Sequence, residues 1–156
     1  MFARQVLKAK IITRHSQYNI KHILVSPQTG KVLAFQAESD TIFPWLNLVF
    51  EDNNFILKNE NSLKLAEGQL IDILGFKVIN LSGLVLGKLK DFEFSQLDGL
   101  IEKYLVKSDK LLIAPNLTTP RDKVIKIKIE GEIIVEDKEM AKVKTKAMTA
   151  EQASAV

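Results

Sequence analysis

Cysteine is missing from all 156 residues, and that single absence removes disulfides, thiolate zinc sites, iron–sulfur clusters and cysteine nucleophiles together. It fits a reducing cytoplasm. Histidine is nearly as scarce: His15 and His22 are the only two, and no His-x-x-x-His spacing or acid-flanked cluster gives a metal its ligands. No apolar run approaches the roughly 20 residues that cross a bilayer as a helix, and the first ten residues lack the apolar core of a signal peptide. A transmembrane segment is therefore not expected, while peripheral association with a membrane stays open. An excess of one charge is lacking too, since 22 basic and 19 acidic side chains leave only +3. That field is too balanced to indicate nucleic-acid binding.

What is present is a chain of short apolar runs separated by turns. Hydrophobic residues at 46% and charged residues at 26% match a globular protein, and the length suits one ordinary domain or two very small ones. Residues 6–12 form a short, partly alternating run. Residues 20–25 and 31–37 flank Ser26, Pro27 and Gly30, a hairpin signature. The aromatic and aliphatic stretch at 42–50 is interrupted by Pro44, which disfavours a central strand or a helix interior there. Residues 51–54 (EDNN) spell a turn before a short strand at 55–57. The polar block 58–62 marks a boundary.

The second half opens with apolar runs at 71–74 and 76–79 and turns at Ser82-Gly83. In the run 84–94, Leu84, Leu86, Leu89, Phe92 and Phe94 cannot share one face at period two, so a β-bulge is expected near residues 87–90. A turn at 95–99 leads to a strand at 100–106, and a strand at 111–114 precedes Pro115. In 124–129, Ile125, Ile127 and Ile129 alternate with lysines, as on a strand with one face buried. Residues 133–135 close the pattern. The stretch beyond Asp137 is rich in alanine and lysine without a firm apolar stripe and reads as a flexible tail.

The two halves repeat. At an offset of 69, Lys21 falls on Lys90, Val25 on Phe94, Ser26 on Ser95, Gly30 on Gly99, Phe35 on Tyr104 and Asp40 on Asp109. Beyond the prolines the offset becomes 78, bringing Asn53 onto Gly131 and Phe55 onto Ile133. The second copy thus carries about nine extra residues, 78 less 69. The fold expected is all-β: two small barrels in tandem, divided as residues 1–62 and 63–137, with 138–156 as the tail.

These residues also resemble the PRC-barrel family, named for the H subunit of the photosynthetic reaction centre and found as the carboxy-terminal domain of RimM-type ribosome maturation factors. The likeness lies in a strand with the pattern G-x-hydrophobic-x-D-hydrophobic-x-F on Gly87, Leu89, Asp91, Phe92 and Phe94, followed by the Asp98-Gly99 turn. It covers residues 71–136 and, in the first half, mainly 22–39. There His22 replaces the aspartate and Tyr18 the glycine. The resemblance implies a non-enzymatic module that docks on other proteins in a larger assembly, in photosynthetic bacteria often the photosynthetic apparatus. It places the protein in the cytoplasm or on the cytoplasmic face of a membrane. The alternative it implies is ribosome maturation, with nucleic acid met only through a ribonucleoprotein. No glycine- and histidine-containing opening of the RimM type occurs in the first half.

Catalytic chemistry is not expected. Asp91 and Glu93 sit two apart and read as a solvated strand face opposite Phe92 and Phe94, and Gly83 and Gly87 lack the helix and Gly-Lys-Ser/Thr of a phosphate loop. No cofactor is expected. Partner binding is expected instead at an exposed apolar patch around Phe43, Pro44 and Trp45, tryptophan being a frequent interface anchor, with core packing as the competing role. Lys142, Lys144 and Lys146 in the tail form the second candidate contact.

Overall fold

The computed structural model describes residues 1–58, 69–108 and 116–136. The tail 138–156, the strand expected at 111–114, the boundary at 62/63 and Lys142, Lys144 and Lys146 lie outside the described residues. The fold is all-β, with two barrel-like units and one short helix.

The first sheet comprises β1 (Lys10–Ile12), β2 (Gln17–Ser26), β3 (Lys31–Ala37), β4 (Ile42–Pro44), β5 (Leu48–Glu51) and β6 (Asn54–Leu57), in the order β4-β3-β2-β1-β6-β5. The second comprises β7 (Lys77–Asn80), β8 (Val85–Phe94), β9 (Ile101–Lys107), β10 (Asn116–Pro120), β11 (Val124–Lys128) and β12 (Glu132–Val135), in the order β10-β9-β8-β7-β12-β11. Strand for strand the two orders are the same. Each includes one parallel pairing between its first and last strands, Ile11 opposite Phe55 and Val78 opposite Ile133, and Phe55 and Ile133 are residues that the 78-residue offset equates.

Sequence chemistry accounts for the turns. Asp52 and Asn53 connect β5 to β6 with φ of 52° and 63°, the two-residue type I′ hairpin that asparagine and aspartate tolerate. Pro44 ends an edge strand, where its missing N–H breaks no ladder, and Pro44 and Pro120 each precede one 3-10 turn, Trp45–Asn47 and Arg121–Lys123. The run 6–12 divides into α1 (Ala3–Lys8) and β1. Ala3 and Val6 are both buried in α1, three apart and hence on one helical face.

Three expectations need correction. The bulge lies at Leu86, since Val78 faces Gly87 and Ile79 faces Val85, a residue ahead of the stretch where the apolar phase breaks. Ile125 occupies a second bulge, between the Val124 and Lys126 pairings, and Ile129 lies past the end of β11. Only Ile127 is buried, with Ile125 and Ile129 about half exposed, because the extra residue turns Ile125 out of phase. Asp91 is buried alongside Phe92 and Phe94, so β8 is covered on both faces there. Its carboxylate Oδ1 accepts the Phe92 N–H at 2.9 Å, which compensates part of the burial.

The chain divides into two compact units: Met1–Ile73 with Glu93–Ile101, and Leu74–Phe92 with Glu102–Val156. The first unit thus contains the tip of the β8–β9 hairpin. Within it the Val32 N–H donates to the Gly99 carbonyl at 2.8 Å and the Ile101 N–H to the Gly30 carbonyl at 3.0 Å. Gly30 and Gly99 are repeat equivalents, as are Val32 and Ile101, so each turn does for the other what it receives. Both turns are closed internally in the same way, Gly30 N–H to the Ser26 carbonyl and Gly99 N–H to the Ser95 carbonyl, each at 2.9 Å.

Candidate docking surface

The aromatic stretch after β3 is core. Phe43 and Trp45 are 6% and 8% exposed, and Trp45 meets Phe35, Phe55 and Phe94 edge-on with ring centroids 5.7, 6.1 and 5.4 Å away. Tyr18 covers Phe43 at 5.1 Å. Such tilted and edge-to-face contacts favour mutual burial. The exposed patch expected at Phe43, Pro44 and Trp45 is therefore corrected: Pro44 is half-buried, and the exposed side chains there are Ile42 and Leu46. A Pro-Trp pair beside aliphatics is compatible with either role, and only the packing of Phe35, Phe55 and Phe94 around the indole decides it.

His15 stands exposed in the turn between β1 and β2, whereas His22 has a specific partner. Its Nδ1 lies 2.6 Å from Asp72 Oδ2. Beside it Val25 and Ile71 exchange two backbone hydrogen bonds, of 2.8 and 3.0 Å. The pair fastens the segment entering the second half to β2, a positioning role for the histidine that replaces the aspartate of the other copy. Among the described residues no group of three or more His, Asp and Glu converges as a metal site.

The outer face of the second unit combines apolar surface with cations. Across β12, β7 and β8, Glu132 faces Lys77, which faces Lys88. Glu132 lies within 3.9 Å of Lys128, so the acid in the row of the two opposed lysines is engaged on its other side. The next row along the strands is Lys126, Ile134, Ile79 and Val85. Ile134 and Ile79 are half-buried, and Val85 is exposed.

At the end of this face the β7–β8 turn presents Leu81, Leu84 and Val85, exposed by 63%, 50% and 42%. The turn is held by Asn80, which is buried. Its Oδ1 accepts the Leu84 N–H at 2.9 Å and the Ser82 hydroxyl at 2.8 Å. Its backbone N–H donates to the Leu84 carbonyl, and its carbonyl accepts the Gly83 N–H, both at 3.0 Å. Sequence reasoning identified Ser82-Gly83 as a turn and missed its apolar tip. The signal was there: the corresponding turn of the first copy reads Thr13-Arg14-His15-Ser16, polar throughout, where the second places leucines.

No helix among the described residues is long and apolar enough to cross a membrane. No protein-family model matches the chain, and no curated protein matches it.

Proposed function

We propose that the chain is a non-enzymatic docking protein, two PRC-barrel-like units in tandem that join other proteins in a larger assembly. One observation carries the reading: the sheet is written twice with the same strand order, and among the described residues each copy ends in two edge strands, β4 and β5 in one, β10 and β11 in the other. An edge strand offers its outward amides and carbonyls to an added strand, and β11 offers them beside the exposed Ile125. Support for the PRC-like assignment comes from Gly87. A Cβ there would collide with the Lys107 carbonyl oxygen, a physical reason for the glycine that opens the family's strand pattern.

The test is native purification from the source cell followed by hydrogen exchange on the recovered complex. A stoichiometric protein partner, with amides of β5 or β11 newly protected, is the expected result. Recovery of free monomer alone counts against docking. A ribosomal small-subunit precursor, bound more weakly as salt rises, transfers the reading to ribosome maturation.

A further inference from the structure

We propose that the β7–β8 turn of the second unit is a membrane-docking tip, inserting Leu81, Leu84 and Val85 into an anionic bilayer surface. The three aliphatics fall within five residues and are exposed on a turn, where polar side chains are the norm. Such a cluster on one protrusion is a contact surface waiting for an apolar medium.

The hydrogen bonding of the turn is compatible with that medium. A loop entering hydrocarbon must satisfy its own polar groups, because no water follows it. Here Asn80 accepts from the Leu84 amide and the Ser82 hydroxyl, and its backbone pairs with the Leu84 carbonyl and the Gly83 amide. The same bonds fix the tip beforehand, so little conformational freedom remains to be lost on insertion.

Charge selects the surface. Lys77 and Lys88 stand directly opposite each other, an arrangement unfavourable in isolation and relieved by a plane of negative charge. Lys126 extends the cationic rim in the row of Val85. Their long stems let the ammonium groups reach headgroups while the aliphatics go deeper. The composition also favours lipid over a protein partner, since hot spots between proteins are enriched in tryptophan, tyrosine and arginine and poor in leucine, valine and serine. The first copy, with Arg14 and His15 at the matching turn, has no such tip. The asymmetry marks a role acquired by one copy.

Cosedimentation of the full chain with vesicles tests this. With an equimolar mixture of phosphatidylcholine and phosphatidylglycerol the protein pellets and is released by salt, and with phosphatidylcholine alone it stays in solution. The exposed double variant Leu81→Ser/Leu84→Ser lowers partitioning about tenfold or more, and Lys77→Gln/Lys88→Gln lowers it about fivefold per lysine. A Leu84→Trp variant adds an indole whose emission shifts to the blue when vesicles are added. If the wild-type chain ignores the anionic vesicles at low salt, or the double serine variant pellets as well as wild type, the proposal is wrong. The same holds if vesicles are ignored while Leu84→Ser weakens binding of a co-purified protein, which would make the tip a protein contact.

Discussion

At Gly99 a single methyl group is enough to disturb the first unit. Its φ is +78°, and an added Cβ would run into the Val32 carbonyl oxygen. Gly83 has a similar φ of +88° with nothing within 4 Å of the same position. Gly83→Ala therefore isolates the backbone term, about 1–2 kcal/mol, while Gly99→Ala adds overpacking of about 1–3 kcal/mol. Urea midpoints of the two variants should fall in that order. Trp45 gives a second contrast: Trp45→Ala should cost about 3–5 kcal/mol, whereas Arg121, which follows the other copy's proline and is exposed, should tolerate alanine within about 0.5 kcal/mol.

Two ionisable groups respond to pH in opposite directions. Burial pushes the Tyr104 phenol up from 10.0 to about 12 against the favourable effect of Arg121. Because the folded value is the higher, the stability linked to Tyr104 is complete below pH 10 and is lost as pH rises towards 12. A spectrophotometric titration should show its phenolate appearing only around pH 12, and Tyr104→Phe should abolish that part of the alkaline loss. Asp98 moves the other way, its carboxyl held below 3.8 chiefly by the Leu100 amide, with Ser95 and Lys31 adding to the effect. That turn keeps its carboxylate bond above the ordinary aspartate range and loses it as pH falls through the lowered value.

Among the elements, those set by local chemistry were legible and those set by pairing were not. The turn at 26–30, the asparagine turn before β6 and the edge position of Pro44 follow from which residues tolerate positive φ or a missing N–H. Bulges do not follow so directly. The phase slip in 84–94 announces an extra residue, yet its place depends on which residues of β7 stand opposite, and so Leu86 was found only in the ladder. In β11 isoleucine and lysine alternate from 125 to 128, and the adjacent apolar pair Val124-Ile125 is the only mark of the bulge that breaks the alternation in space. The candidate surface shows the same limit. Trp45 was eye-catching as text and is core, whereas the leucines of the β7–β8 turn acquire meaning only from the lysines that other strands bring beside them.

For the molecule as a whole, the duplication explains why equivalent positions diverge in role. His22 clamps Asp72, while its counterpart Asp91 is buried in β8. The polar turn at 13–16 stays wet, while its counterpart carries the aliphatic tip. Conservation of form and divergence of surface accord with the proposed docking role. In native hydrogen exchange, the amides of Val32 and Ile101 should open as one cooperative event, and Gly99→Ala should accelerate both together.

The mutual bonding of the Gly30 and Gly99 turns is self-complementary: the same patch meets its own counterpart, as in an isologous dimer. Two separate molecules making that contact would part on dilution. Within one chain the partner is always present at high effective concentration, so the contact is indifferent to how much protein is in the tube. A hundredfold dilution, a change on the order of 2.7 kcal/mol for an association between free molecules, should leave the urea midpoint of the intact chain where it was.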